Sequence, residues 1–265
     1  MTRPSRPAPA VHSTSHRAGQ HPGTDEDDRT RGEVVAVVGA RGGLGTSCLA
    51  VLLARALAVA GQRVALVDAD PAGGLGLLMG TGPGPGLRWA DLPAQETAFR
   101  ATRLVDALPT WLGITVLTGD VRGGVEEGRV LEPVLEALSS VHDVVIVDLP
   151  RTATPPDGAR LVMLTTLDLR SATAVRVLAL RAARAGRGPV RLIVLEEGED
   201  VDVDGLVRTT GCQVLGTLAV DRSVAQRTAR GDDVTRGRGA ARRAARELAG
   251  ALMREIETRP RVVDR

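Results

Sequence analysis

Seven short, almost uninterrupted apolar runs set the strongest constraint on how this chain folds: EVVAVVG, RVALVD, ITVLTG, DVVIVD, RLVMLTT, VRLIVLE and QVLGTLAV, the first starting at Glu33 and the last at Gln213. A strand with one wet face alternates apolar and polar residues, whereas a strand apolar at nearly every position is covered on both faces. Longer stretches with helical spacing separate these runs, and strands alternating with helices build a parallel sheet sandwiched between helical layers. The pattern predicts a doubly wound, mostly parallel α/β domain over residues 32–258. The interval from Gly80 to Gly113 breaks the rhythm with a turn-rich TGPGPG opening and holds Trp89 and Trp111. It reads as an insertion between the second and third strands, with the two tryptophans as core anchors. His142, just ahead of the fourth run, reads as a surface turn residue.

The flanks differ in kind. Residues 1–31 are rich in Pro, Ser, Arg and His, carry a DEDD cluster and show no periodicity, so they read as a disordered leader, with residues 259–265 as a tail. His12, His16 and His21 lack companion carboxylates or cysteines on a folded element and read as solvated, not metal-binding. The leader has no apolar core of the kind a secretion signal needs, and the most apolar stretch, Leu49–Ala60, is interrupted by Arg55. Cys48 and Cys212 are far apart with no CxxC partner, which fits a reducing compartment. A cytoplasmic protein is expected.

Composition removes some chemistry. Aromatic residues make up only 1% of the 265, with no tyrosine, so the core must be built from Leu, Val and Ala, and base-stacking platforms are disfavoured. All 34 basic residues are arginine, which excludes any reaction that needs a lysine amine. A GC-rich genome accounts for the exchange. Residues 222–265 hold twelve arginines against six acidic residues, a local excess of six positive charges in a chain of net charge +2. Within that segment Ala241, Ala244, Ala245, Leu248, Leu252 and Ile256 recur at helical spacing, and the arginines fall elsewhere on the wheel. A last helix that docks on the sheet with its arginines outward is expected.

The chemistry concentrates after the first run. VVAVVGARGGLGTSCLAVLLARALA places a glycine-rich turn between a buried strand and a helix starting near Thr46, so that backbone N–H groups and the helix N-terminus face one point. That is how a loop cradles phosphate. Two acidic motifs follow at strand ends: VALVDADP, with Asp68 and Asp70, and VVIVDLP, with Asp148.

Together these residues resemble the ParA/MinD family of deviant Walker ATPases, whose loop reads KGGxGK[ST] and whose second strand ends in DxDP. The resemblance runs from Glu33 to the C-terminal helix and implies a P-loop NTPase fold that binds ATP or ADP with magnesium. It implies a phosphate loop of Arg41, Gly42, Gly43, Leu44, Gly45, Thr46 and Ser47. Arg41 stands at the position of the signature lysine that reaches across a nucleotide-sandwich dimer, Thr46 at that of the P-loop lysine, and Ser47 at that of the magnesium-binding hydroxyl. By the same resemblance Ser47, Asp68 and Asp148 hold magnesium, and Asp70 and Asp148 serve any hydrolysis.

Position 46 departs from the family pattern. Arginine at 41 keeps the lysine's charge and can bind phosphate bidentately. Threonine at 46 supplies a hydroxyl and no charge, where phosphoryl transfer depends on positioning and charge stabilisation. Weak or absent hydrolysis is expected. With LRWADL and VVIVDLPR, the loop without its lysine looks like the CpaE/TadZ-type branch, and within it the actinobacterial CpaE-like, Ssd-type septum site-determining proteins. That branch implies a homodimer and partners at a division septum or a Tad-type pilus or secretion machine, with peripheral contact at the inner face of the cell membrane. Two other classes stay open: a working ATPase with an arginine in place of the missing lysine, and a DNA-binding partition protein using the arginine-rich C-terminus, which the overall charge disfavours mildly.

Overall fold

The computed structural model describes residues 31–125, 130–198 and 200–258. The leader, apart from Arg31, and the 259–265 tail lie outside the described residues. Strands and helices follow in the order β1 (Glu33–Gly39), α1 (Thr46–Val59), β2 (Val64–Asp68), α2 (Ala101–Ala107), β3 (Thr110–Trp111), β4 (Ile114–Leu117), α3 (Leu131–Ser139), β5 (Val144–Leu149), β6 (Arg160–Thr166), α4 (Leu169–Arg184), β7 (Val190–Leu195), α5 (Val203–Thr210), β8 (Gln213–Leu218), α6 (Arg222–Arg230) and α7 (Ala240–Thr258). Each apolar run contributes a strand. The eight strands form one sheet in the order β3-β4-β2-β5-β1-β6-β7-β8, parallel throughout except for the edge pair of β3 and β4.

That edge strand has no counterpart among the seven runs. Thr110–Trp111 turns back on Ile114 through a two-residue link, Leu112 and Gly113, with φ of 49° and 83°. Positive φ at both central residues is the geometry that matches the twist of a tight hairpin. Two residues are too few for periodicity to register.

Two apolar layers sandwich the sheet. One packs α2, α3, α4 and α5 against residues such as Ala36, Val145, Val147 and Met163, and the other packs α1 and α7 against Val35, Val37, Leu66 and Ile146. α1 is buried nearly all round, from Leu49 to Leu57, because β1, β2 and β5 lie beneath it and α7 lies against it. The expected α7 stripe is buried at Ala241, Ala245, Leu248 and Leu252, with Arg243, Arg246 and Arg254 exposed. Gly216 of β8 lets α7 come this close: a Cβ there would stand 2.7 Å from Leu248 Cδ2.

Trp89 and Trp111 are both buried, as anchors should be. His142 is not a surface residue. It is 8% exposed, with Nδ1 2.9 Å from the Leu138 carbonyl and Nε2 2.9 Å from Thr115 Oγ1. Its position right after α3, under β4, satisfies both ring nitrogens internally, and burial pushes its pKa down.

Crossovers between parallel strands successive in the chain carry helices, with one exception among the described residues. The β5–β6 connection spans Pro150–Ala159 without a helix, although it must pass over β1.

Candidate functional site

The loop between β1 and α1 lies at the C-terminal end of the central strand, flanked by β5 and β6. Gly43 and Gly45 hold φ of 80° and 85°, a left-handed conformation that other residues enter at a cost. Gly45 is the N-cap of α1 and gives it no side-chain cap. Among the described residues, no backbone N–H from Arg41 to Ser47 finds an acceptor within the chain. A row of free donors at the N-terminus of a 14-residue helix is an anion cradle by its electrostatics alone. Thr46 folds back over the strand end: a Cβ on Gly39 would lie 2.5 Å from its Oγ1. Its hydroxyl therefore packs against the strand.

On the β2/β5 side stand two buried carboxylates, since Asp68 and Asp148 are register partners across the sheet. Asp68 is 1% exposed, and both its oxygens are taken by protein donors. Oδ1 accepts from the Asp70 amide at 3.1 Å, and Oδ2 accepts from the Leu75 amide at 3.1 Å and Thr118 Oγ1 at 2.9 Å. Burial pushes its pKa up, and those three donors pull it back. This geometry makes Asp68 a brace for the loops after β2 and β4. Asp148 has no such set of donors. Burial pushes it up to about 7; the neighbouring Ser47 hydroxyl lowers it, and the charges of Asp68 and Asp70 raise it further. Ser47 therefore lies close to Asp148. Asp70 is only partly buried and caps its own turn, Oδ1 accepting from the Ala72 amide at 2.9 Å.

Trp89 pins the inserted segment beneath this cluster by donating from Nε1 to the Asp68 carbonyl at 2.6 Å. Gly124 lies so close to the Asp70 carbonyl oxygen that a Cβ would meet it at 2.1 Å, and its amide donates to Pro71 at 2.8 Å.

Arg41 turns the other way, toward β6 and α4. Its Nε donates to Ser171 Oγ at 2.7 Å, and its Nη2 donates to Asp168 Oδ2 at 2.9 Å and Thr166 Oγ1 at 3.1 Å. Asp168 is also the N-cap of α4, accepting from the Ser171 amide at 2.9 Å. Burial alone would raise its pKa, but the Thr166 and Ser171 donors and the Arg41 guanidinium outweigh it and hold the carboxyl at about 2. The residue that the resemblance sends across a dimer interface is thus held within its own chain. Asp168 was absent from the sequence-based site. The D-x-x-S capping pattern of Asp168–Ser171 was visible, but nothing local linked it to an arginine 127 positions earlier.

The structure thus brings Ser47, Asp68, Asp70 and Asp148 to one side of the glycine loop and sets Arg41 on the other. Among the described residues no three acidic, histidine or cysteine side chains form a ready-made metal centre.

Residues 33–186 match the model of the family described as cellulose biosynthesis protein BcsQ. An uncharacterized protein of Mycobacterium tuberculosis, found in strains CDC 1551 and H37Rv, is 36% identical over an alignment of 244 residues that covers 86% of this chain. The chain spans 66% of that relative's length. Among solved structures, a ParA family ATPase from Chlorobium tepidum matches with a TM-score of 0.66 at 17% identity, covering 84% of this chain and 99% of that one. The septum site-determining protein MinD of Pyrococcus horikoshii, complexed with Mg-ADP, matches with a TM-score of 0.63 at 16% identity, covering 86% and 99%. The chain belongs to the family described as cellulose biosynthesis protein BcsQ, and its fold is that of the ParA/MinD-type P-loop proteins.

Proposed function

We propose that this protein is a nucleotide-binding localisation factor of the CpaE/Ssd-like kind, acting at a division septum or a Tad-type pilus or secretion machine, with weak or absent ATP hydrolysis. The observation that carries this reading is the loop itself: unpaired amides from Arg41 to Ser47, two left-handed glycines, Ser47 beside Asp148, and a threonine at position 46. The donor set fits a nucleotide phosphate with magnesium. The amides of Gly42, Gly43, Leu44, Gly45 and Thr46 would hold the phosphate oxygens; Ser47 and Asp148 would hold the metal. Magnesium, when bound, neutralises phosphate charge. Asp68 serves by bracing Asp70 and the rim, and Asp70 is the partly exposed carboxylate able to orient water.

Thr46 limits the chemistry. Phosphoryl transfer needs positive charge on the β- and γ-phosphates, and the loop's one cation, Arg41, is engaged by Asp168. Binding without turnover follows. Such a protein would report nucleotide state to partners through self-association on the loop face, with Arg41 leaving Asp168 to bridge the two copies. No helix among the described residues is long and apolar enough to cross a membrane, so membrane contact would be peripheral.

The test is titration calorimetry of the full chain with Mg-ATP, then phosphate release from the same sample. Saturable binding with phosphate release at background is the expected result. Brisk release that vanishes in Asp70→Ala would overturn the weak-hydrolysis reading in favour of a working ATPase; no binding would overturn the nucleotide reading as a whole.

A further inference from the structure

At the end of the sheet opposite the glycine loop, where β6 and β7 begin and α7 ends, a cavity of 440 Å³ is lined by three arginines, Arg160, Arg187 and Arg191, together with Glu255. A single ordered water needs only about 10–15 Å³. A second cavity, of 470 Å³, adjoins it and shares Arg187, Gly188, Pro189 and Arg191.

Two of the guanidiniums are tied to buried carboxylates. Arg191 Nε donates to both Glu255 oxygens at 2.9 and 3.0 Å, while Arg160 Nε donates to Glu33 Oε1 at 3.1 Å and its Nη1 lies 3.5 Å from Glu255 Oε2. Arg187 has a weaker partner. Its Nη1 pairs with Asp157, whose side chain is 78% exposed, and an ion pair held by an exposed carboxylate is worth little.

What these carboxylates leave over is specific. Among the described residues only two buried side-chain polar atoms find no hydrogen-bond partner, Arg160 Nη2 and Arg187 Nε, and both belong to side chains that line this cavity. The Arg160 side chain is nine-tenths buried. Buried donors are nearly always satisfied, because one left unmade costs its full desolvation, so an orphan marks the place of an acceptor. Bulk water is shut off from both atoms, and the acceptor therefore belongs inside the cavity. The wall beside them is clear. Gly158 and Gly186 hold φ of 70° and 69°, which their turns require, but Gly188 has no positive φ, and a Cβ on it would meet nothing within 4 Å. Neither backbone nor packing demands glycine at 188; its missing side chain leaves the cavity open.

We propose that this cavity binds a phosphate-type oxyanion, free or as a small phosphate ester, whose oxygens accept from Arg160 Nη2 and Arg187 Nε while Asp157 gives way to solvent. A tetrahedral oxyanion presents acceptors in several directions at once, and the guanidinium fork matches it. Water brings acceptors but no charge to replace that of Asp157. The site lies at the opposite end of the strands from the glycine loop, so the proposal stands whether or not nucleotide binds there.

The test uses the full chain and follows the arginine Nε–H signals by NMR, with Arg187 assigned by the loss of its signal in Arg187→Gln. Inorganic phosphate and phenyl phosphate are the probes, and sodium chloride at equal ionic strength is the control. Saturable shifts of the Arg187 and Arg160 signals with phosphate, and none with chloride, are expected. A tighter response to phenyl phosphate assigns the site to an organic phosphate; any other order assigns it to free phosphate. Gly188→Glu sets a carboxylate beside the same donors, and it should weaken phosphate by roughly tenfold or more and raise the thermal melt, with the Gly43 and Gly45 amide signals as in wild type. Arg187→Gln, read on the Arg160 signal, should weaken phosphate to a similar degree. No shift, a shift that chloride reproduces, or binding undiminished in both variants overturns the proposal. So does a response confined to the Gly43 and Gly45 amides, which would put phosphate at the glycine loop alone. Binding that strengthens when the chain is cut after Thr258 would give the two donors to Asp264 and overturns it as well.

Discussion

Two sets of carboxylates flank the glycine loop at the same end of the same sheet, and they sit in opposite electrostatic states. On the β2/β5 side, Asp148 is buried beside Asp68, paired with no cation among the described residues, and its carboxyl is pushed up to about 7. On the β6 side, Asp168 collects two hydroxyls, an amide and the Arg41 guanidinium, and is held at about 2. The difference shows where the loop's positive charge has gone. Arg41 satisfies the α4 cap, and the half of the site facing Ser47 is left short of a cation. Either a divalent ion or a side chain at position 46 would restore the balance.

The largest expected effect comes from supplying that side chain. Thr46→Lys should raise Mg-ATP hydrolysis by roughly two orders of magnitude, the worth of one transition-state contact of about 3 kcal/mol. A phosphate-release assay checks it; an unchanged rate would mean that the Ser47 side lacks more than a cation.

Next is removal of the unbalanced charge. A carboxyl whose folded pKa is raised contributes its full stability below the unfolded value of 3.8, and that contribution is lost as pH rises to and through about 7. Wild type should therefore fall behind Asp148→Asn between those values, by on the order of 2–4 kcal/mol at pH 8 in magnesium-free buffer. Urea denaturation at pH 5 and pH 8 measures it. Parallel pH profiles would show that the two carboxylate groups are not in opposite states.

On the β6 side the same kind of change should go the other way. Asp168→Ala removes a helix cap worth about 1 kcal/mol and a partly exposed ion pair worth less than about 1, so destabilisation of about 1–2 kcal/mol is expected. Arg41→Ala should cost less, because the cap survives. A double-mutant cycle in denaturant gives their coupling, and zero coupling would sever Arg41 from the cap.

The smallest effect belongs to His142. Its pKa is lowered by burial, so its contribution is present above the ordinary value of 6.5 and lost as pH falls through the folded value. His142→Gln should flatten that acid-side decline in a thermal-melt series from pH 8 to pH 5.

How much of this was legible in the sequence follows from how local each cause is. The strands were readable because burial on both faces forces each run to be apolar by itself. The loop was readable because Gly43 and Gly45 need a backbone conformation that few residues tolerate, and Ser47, Asp70 and Asp148 fall at fixed offsets from strand ends. The Arg41–Asp168 pair was not, since the sheet order that places β6 beside β1 is a tertiary fact. His142 followed the same rule: a polar residue in a turn gives no local sign that Thr115 will come to lie over it. β3 was too short to carry a period, and the bare β5–β6 crossover is visible only once the strands are seen to flank a third.

The contact between Gly124 and the Asp70 carbonyl has a mechanical consequence. With the Gly124 amide bonded to Pro71 and Trp89 bonded to the Asp68 carbonyl, three segments distant in sequence meet at one rim. Arg122 ties Asp91 to Asp120 in the same place, at 2.6 and 2.7 Å. The outer tip of this segment, at Val121, is fully exposed. The rim thus binds the exposed tip at Val121 to the turn of Asp70 by a short chain of hydrogen bonds and ion pairs, with little slack between the two.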